Sequence, residues 1–275
     1  MFHKPVSGLA GIALLLVCAV ARSQDFHVST RINDLNAPPQ ITATGSRRPP
    51  PPALCVSLFH AGKVYDYSDR GSEVSIFEPA QERFLIFNSA NRTATVVSFD
   101  YINRRLHQAH TRRAEELRRA SAAKAEYLAF ELHPKFEEEF DAAKKYLKMD
   151  SPFFTYQVRC AAADSPELVK KYLDYADWAA RLNYASYRQS NLPDARLAVN
   201  NRLREIGMLP VQVELKVKVE SGPHMKVDHK FTWNLDNDNH QTISYWEEMS
   251  TARNVKHLTP DDFFDASSKQ ANNRR

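Results

Sequence analysis

Residues 54 to 99 constrain this chain more than any other stretch. Five short apolar-rich runs follow one another: Leu54–Phe59, Lys63–Tyr67, Glu73–Glu78, Arg83–Asn88 and Thr93–Phe99. Turn-forming residues separate them, at His60-Ala61-Gly62, Ser68 to Gly71, Pro79 and its neighbours, and Asn88 to Asn91. Strands recurring about every ten residues with turns between them define an antiparallel meander, not βαβ units. Nucleotide-binding α/β folds are thereby excluded. Several runs are apolar on both faces. Val74 and Ile76 lie opposite Phe77, Phe84 and Ile86 face away from Leu85 and Phe87, and Tyr65 and Tyr67 oppose Val64. A sheet wetted on one side alternates more cleanly, so both faces are expected to be covered, one of them by helices.

The flanking segments complete an α+β pattern. Asp25 to Ile32 alternates Phe26, Val28, Thr30 and Ile32 with polar partners, as a further strand would. Ala37 to Pro52 holds Pro38, Pro39 and the run Pro49–Pro52, which enforces extended backbone without ladder hydrogen bonds and reads as a surface spacer. Asp100 to Leu132 lacks Gly and Pro and is rich in helix formers, so one long helix is predicted there. Its apolar stripe is thin and the rest is charged, which makes it a candidate contact surface. Lys135–Asp150 reads as a further polar helix or an irregular connection, and Phe153–Ala161 as a strand. Ser165-Pro166-Glu167 opens a helix whose Leu168, Tyr172, Tyr175, Ala179 and Leu182 share a face, the spacing of core packing. Pro193–Ile206 is a shorter helix. Val211–Glu220 and His224–Trp233 form the clearest hairpin, with Val213, Leu215 and Val217 expected to be buried. Gln241–Glu247 reads as the last strand and Leu258–Asp265 as a short helical turn.

Lys4, the apolar run Gly8–Val20 and small residues at Ala19 and Ala21 have the order of a cleaved secretory signal over residues 1–23. The chain is therefore expected to be secreted or periplasmic, and not an integral membrane protein once cleaved. Of 37 Lys+Arg and 33 Asp+Glu, removal of Lys4 and Arg22 leaves 35 against 33. A net charge of +2 argues against a nucleic-acid partner. Cys55 and Cys160 then remain. An oxidising compartment permits a disulfide between them, and two separate buried thiols are the alternative.

No local motif carries a chemistry. There is no nucleophile elbow, paired-histidine zinc motif, Cys-x-x-Cys or phosphate loop. Asp236, Asp238, His240 and Glu247 partly match a calcium loop, but Gln241 stands where that loop needs Gly, so an Asp-rich turn is the simpler reading. His107 and His110 are three apart on a helix with no third ligand at metal-site spacing. His229 sits among apolar residues of a strand, either as a hydrogen-bonded core histidine or in a pocket. No cofactor is expected.

Two resemblances bear on this pattern. Ser57 to Tyr67, Ile76-Phe77-Glu78-Pro79, Glu82-Arg83-Phe84, Ser151 to Tyr156 and Tyr175-Ala176-Asp177-Trp178 resemble an uncharacterised family of secreted planctomycete proteins, over most of the chain. That resemblance implies no activity. More loosely, the order of strands and turns is similar to periplasmic lipoprotein carriers, whose curved sheet wraps helices and an apolar cavity.

The resulting expectation is an α+β domain: a curved, half-barrel-like antiparallel sheet of eight to ten strands, with helices on one face. Its segments are a signal at 1–23, a strand and Pro-rich spacer at 24–53, one domain at 54–265 and a disordered tail at 266–275. The first functional expectation is a non-enzymatic envelope protein holding an apolar ligand, lipid or lipidated protein in a pocket lined by Tyr65, Tyr67, Phe77, Phe87 and His229. The alternatives are an interaction module using helix 100–132, and an enzyme. A large apolar cavity favours the first, an exposed apolar stripe on helix 100–132 the second, and a cleft grouping His229 with carboxylates the third.

Overall fold

The computed structural model describes residues 25–41, 45–69, 71–186, 191–219 and 222–272, so the signal expected at 1–23 lies outside the described residues. The meander forms where the turns require it, as β4 (Ala53–His60), β5 (Lys63–Ser68), β6 (Glu73–Glu78), β7 (Arg83–Asn88) and β8 (Thr93–Ser98). Before them come β1 (Phe26–Asp34) and a two-strand ribbon, β2 (Gln40–Ile41) with β3 (Arg47–Arg48). After them come β9 (Glu137–Asp141), β10 (Tyr146–Asp150), β11 (Phe154–Ala162), β12 (Met208–Val217), β13 (His224–Thr232) and β14 (Lys256–His257).

Twelve of these strands make one sheet, in the order β14-β8-β7-β6-β5-β4-β1-β13-β12-β11-β10-β9, antiparallel except where β14 meets β8. This exceeds the eight to ten strands expected. Strand β1 joins the meander to the second half by pairing with β4 on one side and β13 on the other, so residues 24–53 supply a central strand as well as a spacer. The β12–β13 hairpin has its expected partners, with Val213 opposite Val227. Val213 and Val217 are buried, whereas Leu215 is only half-buried. A register shift on β11 between Arg159 and Cys160 falls opposite Pro210, which has no N–H to give the ladder.

Among the described residues six α-helices accompany the sheet: α1 (Phe99–Arg119), α2 (Ala122–Leu132), α3 (Pro166–Ser186), α4 (Asp194–Glu205), α5 (Asn237–Thr251) and α6 (Pro260–Asn272). The long helix expected over 100–132 is two, broken where Ala120 and Ser121 take extended backbone. Lys135–Asp150 is a hairpin, β9–β10, in which acidic side chains of an exposed edge strand hide the alternation. Gln241–Glu247 lies within α5 and is not a strand. Asp236 and Asn239 form a reciprocal capping box, and Ile243, Trp246 and Ser250 are buried at helical spacing. Residues 266–272, expected as disordered tail, continue α6.

Helices cover both faces, not one. Helices α1 to α4 and α6 contribute to the larger core, in which Phe59, Phe77 and Phe84 meet Phe99, Tyr175 and Val199. On the opposite face α5 lays Ile243 and Trp246 against Leu58, Tyr65, Val74, Ile76 and Phe87. The two-sided hydrophobicity of the meander thus has two separate partners. No helix among the described residues is long and apolar enough to cross a membrane.

Candidate functional site

Strand register aligns side chains into rows across the α3-facing side of the sheet. One row is apolar: Phe84, Phe77, Val64, Phe59 and Phe26. The next reads Ile86, Ser75, Asp66, Ser57, Val28 and Phe231. The third contains Ser68, Cys55, Thr30 and His229, and beyond it Ile32, Val227, Val213 and Val158 are apolar again. Polar side chains at Ser75, Asp66 and Ser57 and at Ser68, Thr30 and His229 therefore run beneath α3 between two apolar rows. Small side chains there leave space that the alanines of α3, Ala176, Ala179 and Ala180, do not fill. The result is a chamber of about 500 Å³, closed further by Arg196 of α4 and Phe264 of α6.

Asp66 occupies the middle of the floor on the meander side. The Ser57 hydroxyl donates to Asp66 Oδ1 at 2.6 Å, and the Tyr175 hydroxyl reaches the same carboxyl. Burial pushes the Asp66 carboxyl above its usual range, against the pull of these hydrogen bonds. Asp66 is partly buried and lines the chamber. Burial also raises Glu73, which Asn88 pulls partly back by a hydrogen bond. Cys55 lies alongside, its thiol held protonated first by burial and then by Asp66 and Asp69, so it is a poor nucleophile.

His229 lines the far side. Thr30 Oγ1 lies 3.0 Å from its Nδ1, and Tyr172 meets the ring edge-on with centroids 6.0 Å apart. Burial, reinforced by the Arg196 cation, pushes the imidazole down to about 3, so it is neutral at physiological pH. The folded state therefore binds fewer protons than the unfolded chain between that value and the ordinary histidine range near pH 6.5, and stability falls as pH falls through that window. His229→Gln is expected to reduce the stability lost between pH 7 and pH 5 by on the order of 2 kcal/mol. Urea denaturation of both proteins at the two pH values measures this, and parallel pH profiles would refute it.

Of the residues expected to line a pocket, the chamber takes only His229. Tyr65, Tyr67 and Phe87 point to the α5 side, where Trp246 stands 6.0 Å from the Tyr67 ring and 6.3 Å from Phe87. The Tyr65 hydroxyl donates to Glu247 Oε1 at 2.6 Å. Phe77 does face α3, but within the apolar row, against Phe84, Phe99 and Tyr175. The reason is register: Tyr67 pairs with Val74 and Val74 with Phe87 on the face of Tyr65, whereas Phe77 pairs with Val64 on the other face. Asp66, Ser57, Arg196 and Tyr175 are the polar groups that sequence reasoning missed as a site. The legible signal was Ser57, Asp66 and Ser75, one polar residue at the matching point of three successive strands and on the face of the aromatic row.

Cys55 and Cys160 are separate free thiols, so the expected bridge is not formed. Strands β1, β13 and β12 stand between β4 and β11, which is four strand spacings or about 19 Å along the sheet. A disulfide needs Cα atoms within about 7 Å. Asp236 serves as the α5 cap, and Glu247 binds Lys63 at 3.0 Å as well as Tyr65. His110 is held by Asp194 and the Leu106 carbonyl. No group of three metal-ligating side chains occurs among the described residues.

The surface of α1 carries a smaller cleft, about 260 Å³, lined by Arg105, Arg112 and Arg113. Asp261 pairs with Arg105 at 2.7 Å and Glu131 with Arg113 at 3.0 Å. None of the large exposed apolar residues lies on α1 or α2, whose stripe is taken up by packing. In comparisons with known proteins, no family model and no curated sequence matches the chain.

Proposed function

We propose that this protein is a non-enzymatic binding protein, acting outside the cytoplasm, that holds an amphiphilic organic ligand in the chamber beneath α3. The observation that carries this reading is an unfilled space of about 500 Å³ whose lining mixes apolar walls with convergent polar groups. Its floor draws on seven neighbouring strands, from Phe84 of β7 to Val213 of β12. Laid flat, those strands would span about 29 Å. The loose resemblance to periplasmic lipoprotein carriers agrees with this reading. The signal-like residues 1–23 support an exported location.

Filling the space tests the reading. Ala179→Phe introduces bulk where α3 borders open volume. Saturable binding of the neutral fluorescent probe N-phenyl-1-naphthylamine is expected for the natural protein. A loss of roughly 10-fold or more in affinity is expected for the variant, about 1.4 kcal/mol, with thermal stability retained. Tyr67→Phe, on the α5 side, is expected to leave binding unchanged. Absence of saturable binding by the folded natural protein would refute the proposal.

A second reading, acid–base catalysis, draws on the raised Asp66 carboxyl beside Ser57 and Tyr175. His229 shares the chamber but stands three strand spacings from Asp66, about 14 Å along the sheet. The two are therefore placed at opposite ends and not around one reacting atom. Recovery of a chemically altered ligand after incubation would favour this second reading.

A further inference from the structure

Helix α4 carries three arginines with different surroundings. Arg202 binds Glu138 and Glu205, and Arg204 binds Asp174 and Asp177. Arg196 is half-buried, lines the chamber, and has no hydrogen-bonded or ion-paired partner among the described residues. It lines the same chamber as His229 and Tyr172, and its charge acts on both and on Tyr156. His229 is engaged at Nδ1 by Thr30, while Nε2 makes no hydrogen bond among the described residues. With the Thr30 hydroxyl donating to Nδ1, the neutral ring carries its proton on Nε2 and offers a second donor. The chamber's own acids, Asp66 and Glu73, lie on β5 and β6, at least three strands from His229 on β13. Asp228 acts on His229 and Asp66 on Tyr172, but neither is ion-paired with Arg196 among the described residues.

We propose that the ligand of this chamber is an amphiphilic carboxylate, with its head group seated on Arg196 and its apolar body along Ile32, Val213, Val227, Ala176, Ala179 and Leu182. This deepens the binding-protein reading and rests on it. A guanidinium presents a planar fork that matches a carboxylate with two parallel hydrogen bonds, and it is the cation that tolerates partial burial best. One guanidinium and a neutral imidazole balance a single negative charge. A phosphate dianion would be left half-compensated in a partly desolvated site. The opposite orientation sets the carboxylate against Asp66 and Glu73, so charge also fixes the direction of binding.

Titration of the full protein with decanoate, decanol and decylammonium tests this, because the three share a tail and differ in the head. Decanoate is expected to bind roughly 10- to 100-fold more tightly than decanol, the range of a charge-assisted hydrogen bond. Arg196→Gln is expected to remove that advantage, bringing decanoate affinity down to that of decanol. Arg196→Lys keeps the charge without the fork, and is expected to retain only part of the preference; it serves also should Arg196→Gln fail to fold. Equal binding of all three amphiphiles, or an undiminished decanoate preference in the folded variants, overturns the carboxylate anchor and leaves the chamber reading standing. Tighter binding of decylammonium overturns it too, and moves the anchor to Asp66. Failure of the natural protein to bind any of them, or the neutral naphthylamine probe, overturns both.

Discussion

Phe59→Ala is expected to destabilise the protein by about 3–5 kcal/mol, a large share of the 5–15 kcal/mol that separates most folded domains from their unfolded chains. Phe59 is fully buried at the junction of the meander, β1 and α3. Its ring stacks on Phe26 with centroids 4.1 Å apart and receives the edge of Tyr175 at 5.5 Å. Lys171 Nζ lies 5.8 Å above the same ring. Truncation removes the buried area and leaves a cavity among side chains pinned by backbone ladders on one side and a helix on the other, so collapse is restricted. The shift should appear as a lower denaturation midpoint with an unchanged slope. Phe59→Leu, which refills much of the volume, should recover a substantial part. Since Tyr175 also bonds Asp66, the Ala variant is expected to weaken probe binding as well.

Arg113→Met is expected to cost about 3–5 kcal/mol at neutral pH, by leaving a buried carboxylate without its cation. The Glu131 side chain is 2% exposed, and its Oε2 stands 3.0 Å from Arg113 Nε. The N–H is not aligned as a hydrogen bond, so the attraction is chiefly Coulombic. Burial already raises the Glu131 carboxyl, and Arg113 is the main influence holding it down. Without Arg113 the folded-state value rises further. The folded protein then holds that proton more tightly than the unfolded chain, so the loss grows as pH rises above the ordinary glutamate range and shrinks as pH falls toward 4. Replacing both partners, Arg113→Met with Glu131→Leu, should recover most of the stability, because an apolar pair of similar volume suits the site. Denaturation of the natural protein and both variants at pH 4.5 and pH 8 checks the sign. A penalty independent of pH would show that lost packing of the Arg113 stem is responsible.

How far the chain could be read depends on the range of the interactions concerned. The meander was legible because its hairpins are local: Lys63 pairs with His60 across Ala61-Gly62, and Gly62 takes the positive φ of 79° that the tight turn requires. The β12–β13 hairpin was legible for the same reason. Helix α5 was missed because Ile243, Tyr245 and Trp246 have strand-like propensity, while a cap at Asp236 and burial against Tyr67 and Phe87 favour the helix. The β9–β10 hairpin was missed because an edge strand with Glu137, Glu138 and Glu139 shows no apolar alternation.

The site divides along the same line. Residue type and strand period alone determined that Tyr65 and Tyr67 oppose Val64, that Val74 and Ile76 oppose Phe77, and that both faces need cover. Local turns and the period of two suffice for that. Only the tertiary structure decided which face α5 covers and which lies under α3. It alone brought Arg196 of α4 to His229 of β13, and set three strands between Cys55 and Cys160. Those placements depend on pairing β1 with β4 and β13 across roughly thirty to two hundred residues of chain, and no local propensity encodes a closure of that length.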